Sequence, residues 1–366
     1  MSFIEIEIEY YPDSIIDVIV NSTKDSFVKI DEIKNNKYII KIKEESFGPF
    51  LWDEKFSKDK IYQKESLDNL IFIDLELINE DLTQNYLDSN RNIIRTNKTK
   101  ISKSKYLYLL NLSFNFNQKL LNLNINEIHK YKDIFYENLI ELIDLNYILS
   151  IKSDFIILKL SNNLHLLPFQ FISYYLAKKR ILSLFLIQDL DKFDINFIQS
   201  LKNQKIKIHD LFFLKENSFE INEKLWNKMK INRIVFSNND QFISGINISK
   251  IPVILAHGYR KKDFSSIKIG KNFFNPFYLN QVENTPQILL LLCCMINYSN
   301  SENNIINHFF QKGSKLILSF PYIVPIEYVE EVFELIIENK YDNIFELLIK
   351  ILSKSSFLSF LTKILI

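Results

Sequence analysis

The chain is poor in glycine and cysteine and carries almost no net charge. Its 366 residues include 5 glycines, 2 cysteines and 8 prolines, and 45 basic residues nearly balance 44 acidic ones. So few glycines argue against a glycine-rich loop that cradles phosphate. A formal net charge of +1 also argues against a partner selected by overall charge, such as nucleic acid or an anionic membrane surface.

The two cysteines, Cys293 and Cys294, are neighbours in the sequence. A disulfide between adjacent residues is strained, and no third cysteine exists to pair with either, so the pattern favours a reducing cytoplasm over a disulfide-stapled secreted fold. The opening residues MSFIEIEIEYY place acids where a signal peptide needs positive charge. The longest apolar run, Ile288–Ile296, covers about half of what a bilayer requires, so we expect no membrane span.

The first 120 residues have the pattern of a β-rich unit. FIEIEIEYY alternates apolar and acidic residues, two further alternating runs flank Asn35-Asn36 as a hairpin would, and Lys105–Phe116 continues the strand-like character. Between the later runs, Arg91–Lys105 contains six basic residues and no acid, which predicts a solvated loop. We therefore predict an N-terminal β-rich accessory or sensor domain over residues 1–120.

Residues 121–366 combine helical patterns with uniformly apolar runs. An amphipathic helix is predicted to begin near Asn126, and two more close the chain. Strands that are apolar on both faces are typical of a parallel sheet covered by helices. We predict an α/β domain with a mostly parallel central sheet flanked by helices. Its predicted strands are DFIILKL, RILSLFLI, RIVFS, PVILAHG, ILLLLCC and KLILSF.

Two of these predicted strands end in reactive side chains. Pro252–Ala256 leads into His257-Gly258, and Ile288–Leu292 leads into Cys293 and Cys294. If the two strands are neighbours in a parallel sheet, the imidazole and a thiol converge at their carboxyl ends. A thiolate beside an imidazole is the arrangement that nucleophilic catalysis uses. Gly258 has no Cβ, so its N–H can closely approach a developing oxyanion.

The order of these motifs resembles the caspase–hemoglobinase clan and, within it, the CHAT family of caspase-like, separase-related cysteine proteases. Ser153–Ser173, which contains Leu167-Pro168-Phe169, resembles the family's strand, turn and L-P-F motif. Ile267–Asn284 resembles its stretch between histidine and cysteine, and His308–Pro325 resembles its strand after the cysteine helix. The resemblance covers roughly Asn126–Lys354 and implies a caspase–hemoglobinase-like fold over 121–366.

The resemblance also implies functional roles. Cys294 would be the nucleophile, with Cys293 as the alternative nucleophile, and His257 the catalytic histidine. Gly258 and the N–H of Cys294 would form the oxyanion hole. The implied protein is a cytoplasmic cysteine endopeptidase that cleaves a partner protein through an acyl-enzyme in bacterial antiviral defence or regulated death. It needs no metal or cofactor. We expect a protein substrate encoded nearby and an activating partner at the N-terminal domain, but no membrane and no direct nucleic acid.

One departure from the family keeps an alternative open. Met295-Ile296-Asn297 stands where the family often has a polar residue and a glycine, which favours an inactive CHAT-like pseudo-protease that acts as a protein-interaction module. A third interpretation is an adaptor that binds an anionic partner through Arg91–Lys105. The other histidines occur singly and are predicted to be packing or surface residues rather than metal ligands; they are His129, His165, His209 and His308.

Overall fold

The computed structural model describes most of the chain beyond residue 69 and three strands before it. The described residues are 3–9, 28–33, 37–43, 70–119, 125–140, 142–161, 164–165, 167–187, 193–228, 232–261, 264–274, 276–294, 304–322, 324–338, 343–355, 359 and 361–366. The chain divides into two compact units, Met1–Asp68 and Asn69–Ile366. All of the predicted catalytic residues belong to the second unit.

The described part of the first unit is an antiparallel sheet in the order β1-β3-β2. Its strands are β1 (Phe3–Glu9), β2 (Val28–Ile33) and β3 (Lys37–Lys43). The period-two alternation of apolar and charged residues in β1 is typical of a strand. The predicted turn at Asn35-Asn36 lies outside the described residues, while the strands on either side of it pair antiparallel.

The second unit contains both strands and helices. Its strands are β4 (Leu70–Ile78), β5 (Asp81–Leu87), β6 (Ile93–Lys100), β7 (Phe155–Leu160), β8 (Leu182–Leu186), β9 (Leu211–Glu216), β10 (Arg233–Phe236), β11 (Ile251–Ala256), β12 (Gly258–Lys261), β13 (Phe264–Ile269), β14 (Asn272–Phe273), β15 (Ile288–Cys293), β16 (Leu316–Ser319) and β17 (Lys363–Leu365).

Its helices are α1 (Lys103–Lys119), α2 (Ile125–Ile140), α3 (Leu145–Ser150), α4 (Ile172–Lys178), α5 (Ile195–Ser200), α6 (Glu223–Lys228), α7 (Asn239–Ile248), α8 (Ile305–Gln311), α9 (Ile326–Ile337) and α10 (Ile344–Lys354). Short 3-10 turns occupy Phe169–Phe171, Ile208–Asp210 and Pro276–Gln281. Within the described residues, no helix combines the length and the apolar character needed to cross a membrane.

Eleven strands of the second unit form one mixed sheet, in the order β10-β9-β11-β15-β16-β17-β8-β7-β4-β5-β6. The five strands from β10 to β16 run parallel to one another, and so do the four from β17 to β4. The two parallel blocks run in opposite directions because β16 and β17 are antiparallel. The strands β12, β13 and β14 form a separate small sheet. The predicted α/β class with a mostly parallel sheet is confirmed.

Helices cover the sheet and bury its central strands. Every residue of β8, β11, β15 and β16 is buried, as expected for strands covered on both faces. Aromatic side chains join the layers: the ring centroids of Phe213 on β9 and Phe333 on α9 lie 5.4 Å apart. Those of Phe155 on β7 and Phe345 on α10 lie 5.2 Å apart. The apolar pattern that predicted these strands thus reflects a core on each side of the sheet.

Two segments differ from their predicted structures. Lys105–Phe116 was expected to be a strand, but it lies in the helix α1, where Leu109, Ser113 and Phe116 are buried at helical spacing. Arg91–Lys105 was expected to be a loop, but most of it is the strand β6, which pairs with β5. All residues of β6 are exposed or half-buried, so its solvated character was predicted correctly while its backbone was not.

The boundary between the two units differs from the predicted one at residue 120. The compact units divide after Asp68. The reason is that β4 pairs in parallel with β7, with Leu70 opposite Phe155, so that β4, β5 and β6 extend the main sheet. The β-rich character of residues 70–100 therefore belongs to the large α/β unit.

Candidate active site

Two neighbouring strands bring the predicted catalytic positions to one edge of the sheet. The strands β11 and β15 pair in parallel, with Val253 opposite Leu290 and Ala256 opposite Cys293. His257 and Cys294 are the next residues along the chain at these two strand ends, and adjacent strands lie about 4.8 Å apart. The condition that the sequence argument required, adjacency of the two strands, is therefore present in the fold.

His257 is exposed at this edge of the sheet. Its side chain and its main chain each have a neighbouring partner. The centroid of its imidazole lies 5.1 Å from the ring centroid of Phe219, a residue that follows β9. Its main-chain carbonyl accepts a hydrogen bond of 2.8 Å from the N–H of Lys268 on β13. The imidazole is thus open to solvent on one side and backed by an aromatic ring on the other.

Gly258 follows His257 directly and opens the small sheet. It is the first residue of β12, where it pairs with Ile267 of β13. Gly258 is half-buried. Its position beside His257 is compatible with the oxyanion role that the family resemblance implies, and that role stays a prediction.

Cys294 is half-buried and hydrogen-bonded to the main chain of one residue. Its Sγ donates to the carbonyl oxygen of Val324 and accepts from the N–H of Val324, each at 3.4 Å. Burial raises the pKa of the Cys294 thiol above its ordinary value, while the hydrogen bond from the N–H of Val324 acts in the opposite direction. The thiol is therefore protonated at neutral pH in this arrangement.

Cys293 is fully buried at the end of β15. Its Sγ faces the carbonyl oxygen of Ile254 on β11 at 3.7 Å. Burial raises the pKa of this thiol, and the neighbouring Cys294 adds to the effect. A thiol without solvent access reacts poorly with any electrophile. Of the two cysteines, Cys294 is the one closer to a surface from which a substrate could approach.

Val324, whose main chain is hydrogen-bonded to the Cys294 thiol, belongs to a segment that follows β16. We call it the cover segment and define it as Phe320, Pro321, Tyr322, Val324 and Pro325, all of which are buried except Pro325. The ring of Tyr322 also packs edge-on against that of Phe116 on α1, with centroids 5.6 Å apart. The Sγ atom is hydrogen-bonded to this segment and not to the imidazole, so the two predicted catalytic residues lie at adjacent strand ends without a hydrogen bond between their side chains.

The residues near this pair were not predicted from the sequence. Glu216 is the last residue of β9, a strand that was not among the predicted ones, and Phe219 follows that strand. Val324 lies 30 residues from Cys294 along the chain. The available signal was the run Leu211–Leu214, which is apolar and ends in Lys215-Glu216. That run has the same form, an apolar strand followed by polar residues, as the two strands that were singled out.

Several other predicted features have structural roles. In the L-P-F motif, Leu167 and Phe169 are buried core residues. Gly313 follows α8 with a φ of 108°, a conformation that favours glycine. In the basic stretch, Arg95 forms an ion pair of 2.6 Å with Asp144. The departure from the family pattern at Met295-Ile296-Asn297 lies outside the described residues.

The described residues contain no group of three or more His, Cys, Asp or Glu side chains that could hold a metal ion. His165 has a half-buried side chain, and burial lowers its pKa to about 3, with the nearby Lys363 ammonium adding to the lowering. His165 is therefore neutral at physiological pH. It is placed to pack in the fold, in agreement with its predicted role.

Comparison with known proteins adds no assignment. No protein-family model matches the chain, and no curated protein matches it significantly.

Proposed function

We propose that this protein is a cysteine endopeptidase in which Cys294 is the nucleophile and His257 is the proton-transfer partner. The observation that supports the proposal most is the parallel register of β11 and β15, because it places the two residues at equivalent positions on adjacent strand ends. Nucleophile and base must come within hydrogen-bond reach for this chemistry, although in free enzymes they are often further apart.

The proposed reaction proceeds through an acyl-enzyme. The His257 imidazole first takes the proton of the Cys294 thiol. The resulting thiolate attacks the scissile carbonyl carbon, and the N–H groups of Gly258 and Cys294 stabilise the oxyanion that forms. The C–N bond then breaks as the His257 imidazolium protonates the leaving amine. His257 next takes a proton from water, whose oxygen attacks the thioester carbonyl and releases the carboxylate and the thiol. One water molecule is consumed for each peptide bond.

The described arrangement is best explained as a closed form of this enzyme. The Cys294 thiol is held by Val324, and burial favours its protonated state. For attack, the cover segment must move so that Sγ loses its contacts with Val324 and turns towards His257. An extended segment of a partner protein is the substrate that suits such an edge, because a strand-like peptide can bind by its main chain.

We further propose that residues 121–366, within the second unit, adopt a fold of the caspase–hemoglobinase type and belong to the CHAT family. The motifs over Asn126–Lys354 support this proposal, as does the placement of the histidine and cysteine strands side by side. The biological setting follows from the resemblance alone: bacterial antiviral defence or regulated death, a substrate encoded nearby, and an activating partner at the N-terminal unit. The two unpaired cysteines suit a cytoplasmic location.

The second candidate function is a pseudo-protease that binds a partner without cutting it. The observation that favours it is the environment of the Cys294 thiol. Its Sγ is hydrogen-bonded to both the carbonyl oxygen and the N–H of Val324, and burial raises the pKa of the thiol. In this alternative the contact with Val324 is permanent, and Cys294 serves to hold the cover segment in place.

Covalent labelling with a peptidyl electrophile distinguishes the two functions. We expect a peptidyl acyloxymethyl ketone to modify Cys294 in the native protein, with the adduct located by tandem mass spectrometry. Replacing the base should slow this reaction by about a hundredfold or more, so His257→Ala is the decisive variant. Cys293→Ala should label normally, as the matched control. Labelling at a rate that does not depend on His257 would instead favour the pseudo-protease.

A further inference from the structure

The segment Lys215–Phe219 comprises the last two residues of β9 and the turn after them, and its Phe219 contacts the side chain of His257. We call this segment the β9 turn. The N–H of Phe219 donates to the carbonyl of Glu216 at 3.0 Å, and Nζ of Lys215 donates to the carbonyl of Phe219 at 3.1 Å. Phe219 is buried. Its ring is therefore held firmly where it meets the imidazole of His257.

Glu216 has a carboxylate with no solvent exposure at the end of β9. Burying a charge is costly unless hydrogen bonds compensate it. Here Oε2 accepts from the N–H of Ser218 at 2.9 Å and from its hydroxyl at 2.6 Å, and Oε1 accepts from the N–H of Gly270 at 3.1 Å. The proposed reaction has no use for this carboxylate, so its burial requires another explanation.

The two oxygens of the Glu216 carboxylate accept hydrogen bonds from the two segments that contact His257. Through Ser218 the carboxylate fixes the β9 turn, whose Phe219 packs against the imidazole. Through Gly270 it ties the turn after β13 to β9, and β13 also supplies the N–H of Lys268 that holds the carbonyl of His257. A single buried group thus constrains both the side chain and the main chain of the histidine.

We propose that Glu216 and Phe219 are positioning residues for His257, which hold its imidazole in one orientation at the carboxyl ends of β9, β11 and β15. An exposed histidine at a strand end otherwise samples several rotamers. Restricting it matters because small errors in the placement of catalytic groups are costly in rate. The relevance to catalysis rests on the proposed function; the positioning itself does not.

The first test measures the orientation of the imidazole without any reaction. In the full-length protein, the ring protons of His257 are assigned in proton NMR spectra by their loss in His257→Gln. The neighbouring ring current should displace these signals from the positions of a free imidazole. Phe219→Leu should return them towards those positions, whereas Phe219→Tyr, which keeps the ring, should preserve the displacement. Signals that are the same in Phe219→Leu as in the native protein would overturn the proposal.

The second test measures the consequence for the thiol. Phe219→Leu and Glu216→Gln should each slow His257-dependent labelling of Cys294 by roughly tenfold to a hundredfold. Glu216→Gln keeps the shape but replaces one acceptor oxygen with an amide donor, so at least one of the donors from Ser218 or Gly270 loses its partner. Phe219→Tyr, which keeps the ring, should be labelled at about the native rate. The matched control is Phe213→Leu, the same substitution at a buried position of β9 whose ring packs on Phe333 instead.

The two tests fail separately. If Phe219→Leu shifts the imidazole signals but leaves His257-dependent labelling unchanged or faster, the positioning role in catalysis is refuted. If neither the native protein nor Tyr322→Ala, a variant that removes a ring of the cover segment, shows labelling that depends on His257, the proposed peptidase function fails, while the NMR result still decides whether the β9 turn orients the imidazole.

Discussion

At the residue scale, the two adjacent cysteines have different environments. Cys293 points into the sheet towards Ile254, whereas Cys294 faces the cover segment. Burial raises the pKa of both thiols, so neither is a thiolate at neutral pH in this form. The difference is exposure, because Cys293 is fully buried whereas Cys294 is half-buried and its thiol is hydrogen-bonded to Val324 of the cover segment.

His165 provides a prediction of pH-dependent stability. Burial lowers the pKa of its folded-state imidazole to about 3, below the ordinary value of about 6.5. Below pH 6.5 the unfolded chain binds a proton that the folded protein rejects, so stability is lost as the pH falls. Between pH 7 and pH 5 we expect the free energy of unfolding to fall by about 1–2 kcal/mol from this group.

Urea denaturation at the two pH values measures this loss. His165→Gln cannot bind the proton and should show a smaller decrease in stability between pH 7 and pH 5. The matched control is His209→Gln at an exposed position. An equal pH dependence in the native protein and His165→Gln would contradict the assignment.

At the element scale, the end of α8 requires a backbone conformation that glycine adopts readily. Gly313 has a φ of 108°, and its N–H donates to the carbonyl of Phe310 at 3.0 Å. No atom lies within 4 Å of the place where a Cβ would stand, so strain alone opposes a side chain there. Gly313→Ala should lower the free energy of unfolding by about 1–2 kcal/mol. Lys312→Ala, one residue earlier, is the control, and equal stability of the two variants would contradict this explanation.

The cover segment gives a prediction about reactivity. Tyr322→Ala removes the ring that packs on Phe116 and should loosen the hold of the segment on Cys294. We expect labelling of Cys294 by a small alkylating reagent such as iodoacetamide to become roughly tenfold faster, since thiol reactivity depends on access and on ionisation. The measurement is the rate of modification by intact-mass spectrometry at fixed pH. Unchanged reactivity would mean that Tyr322 does not secure the segment.

How far the elements can be predicted from sequence depends on whether the decisive contacts are local. The strands β11 and β15 are uniformly apolar because they are buried on both faces, so their pattern alone identifies them. Lys105–Phe116 was misassigned because its dense apolar residues satisfy both a strand and a helix pattern, and packing selects the helix. The strand β9 was missed although its apolar run, Leu211–Leu214, has the same form as those of the predicted strands.

The same distinction applies to the candidate site. The positions of His257 and Cys294 follow from strand ends, which the sequence marks clearly. The partners of these residues do not, because the hydrogen bonds from Val324 to Cys294 and from Gly270 to Glu216 join residues far apart in the chain. Glutamate is rarely buried in proteins, so the burial of Glu216 could not be expected from its residue type. Three hydrogen bonds to its carboxylate compensate for the burial.

At the scale of the whole molecule, the sheet determines where the chain can be divided. The fragment 69–366 contains all eleven strands of the main sheet and should fold as a cooperative unit. The fragment 121–366 lacks β4, whose residues Leu70–Ile73 are buried, and should not fold. Burial of these four side chains contributes about 6–12 kcal/mol at about 1.5–3 kcal/mol each, which is comparable with the total stability of about 5–15 kcal/mol that a domain has.

Circular dichroism and thermal unfolding of the two fragments test this division. A cooperative transition is expected for 69–366 and none for 121–366. A stable, cooperatively folded 121–366 fragment would show that folding does not need the strands β4, β5 and β6, and that the domain boundary lies at residue 120, as predicted from the sequence.

The most direct test of the whole account is cleavage of a diverse peptide library, read by mass spectrometry of the new termini. We predict cleavage by the native protein or, if the closed form dominates, by Tyr322→Ala. In the same background, cleavage should disappear in Cys294→Ala and in His257→Ala and persist in Cys293→Ala. Cleavage that survives the loss of Cys294 or of His257, or its absence from both the native protein and Tyr322→Ala, would contradict the claim that this sheet edge hydrolyses peptide bonds.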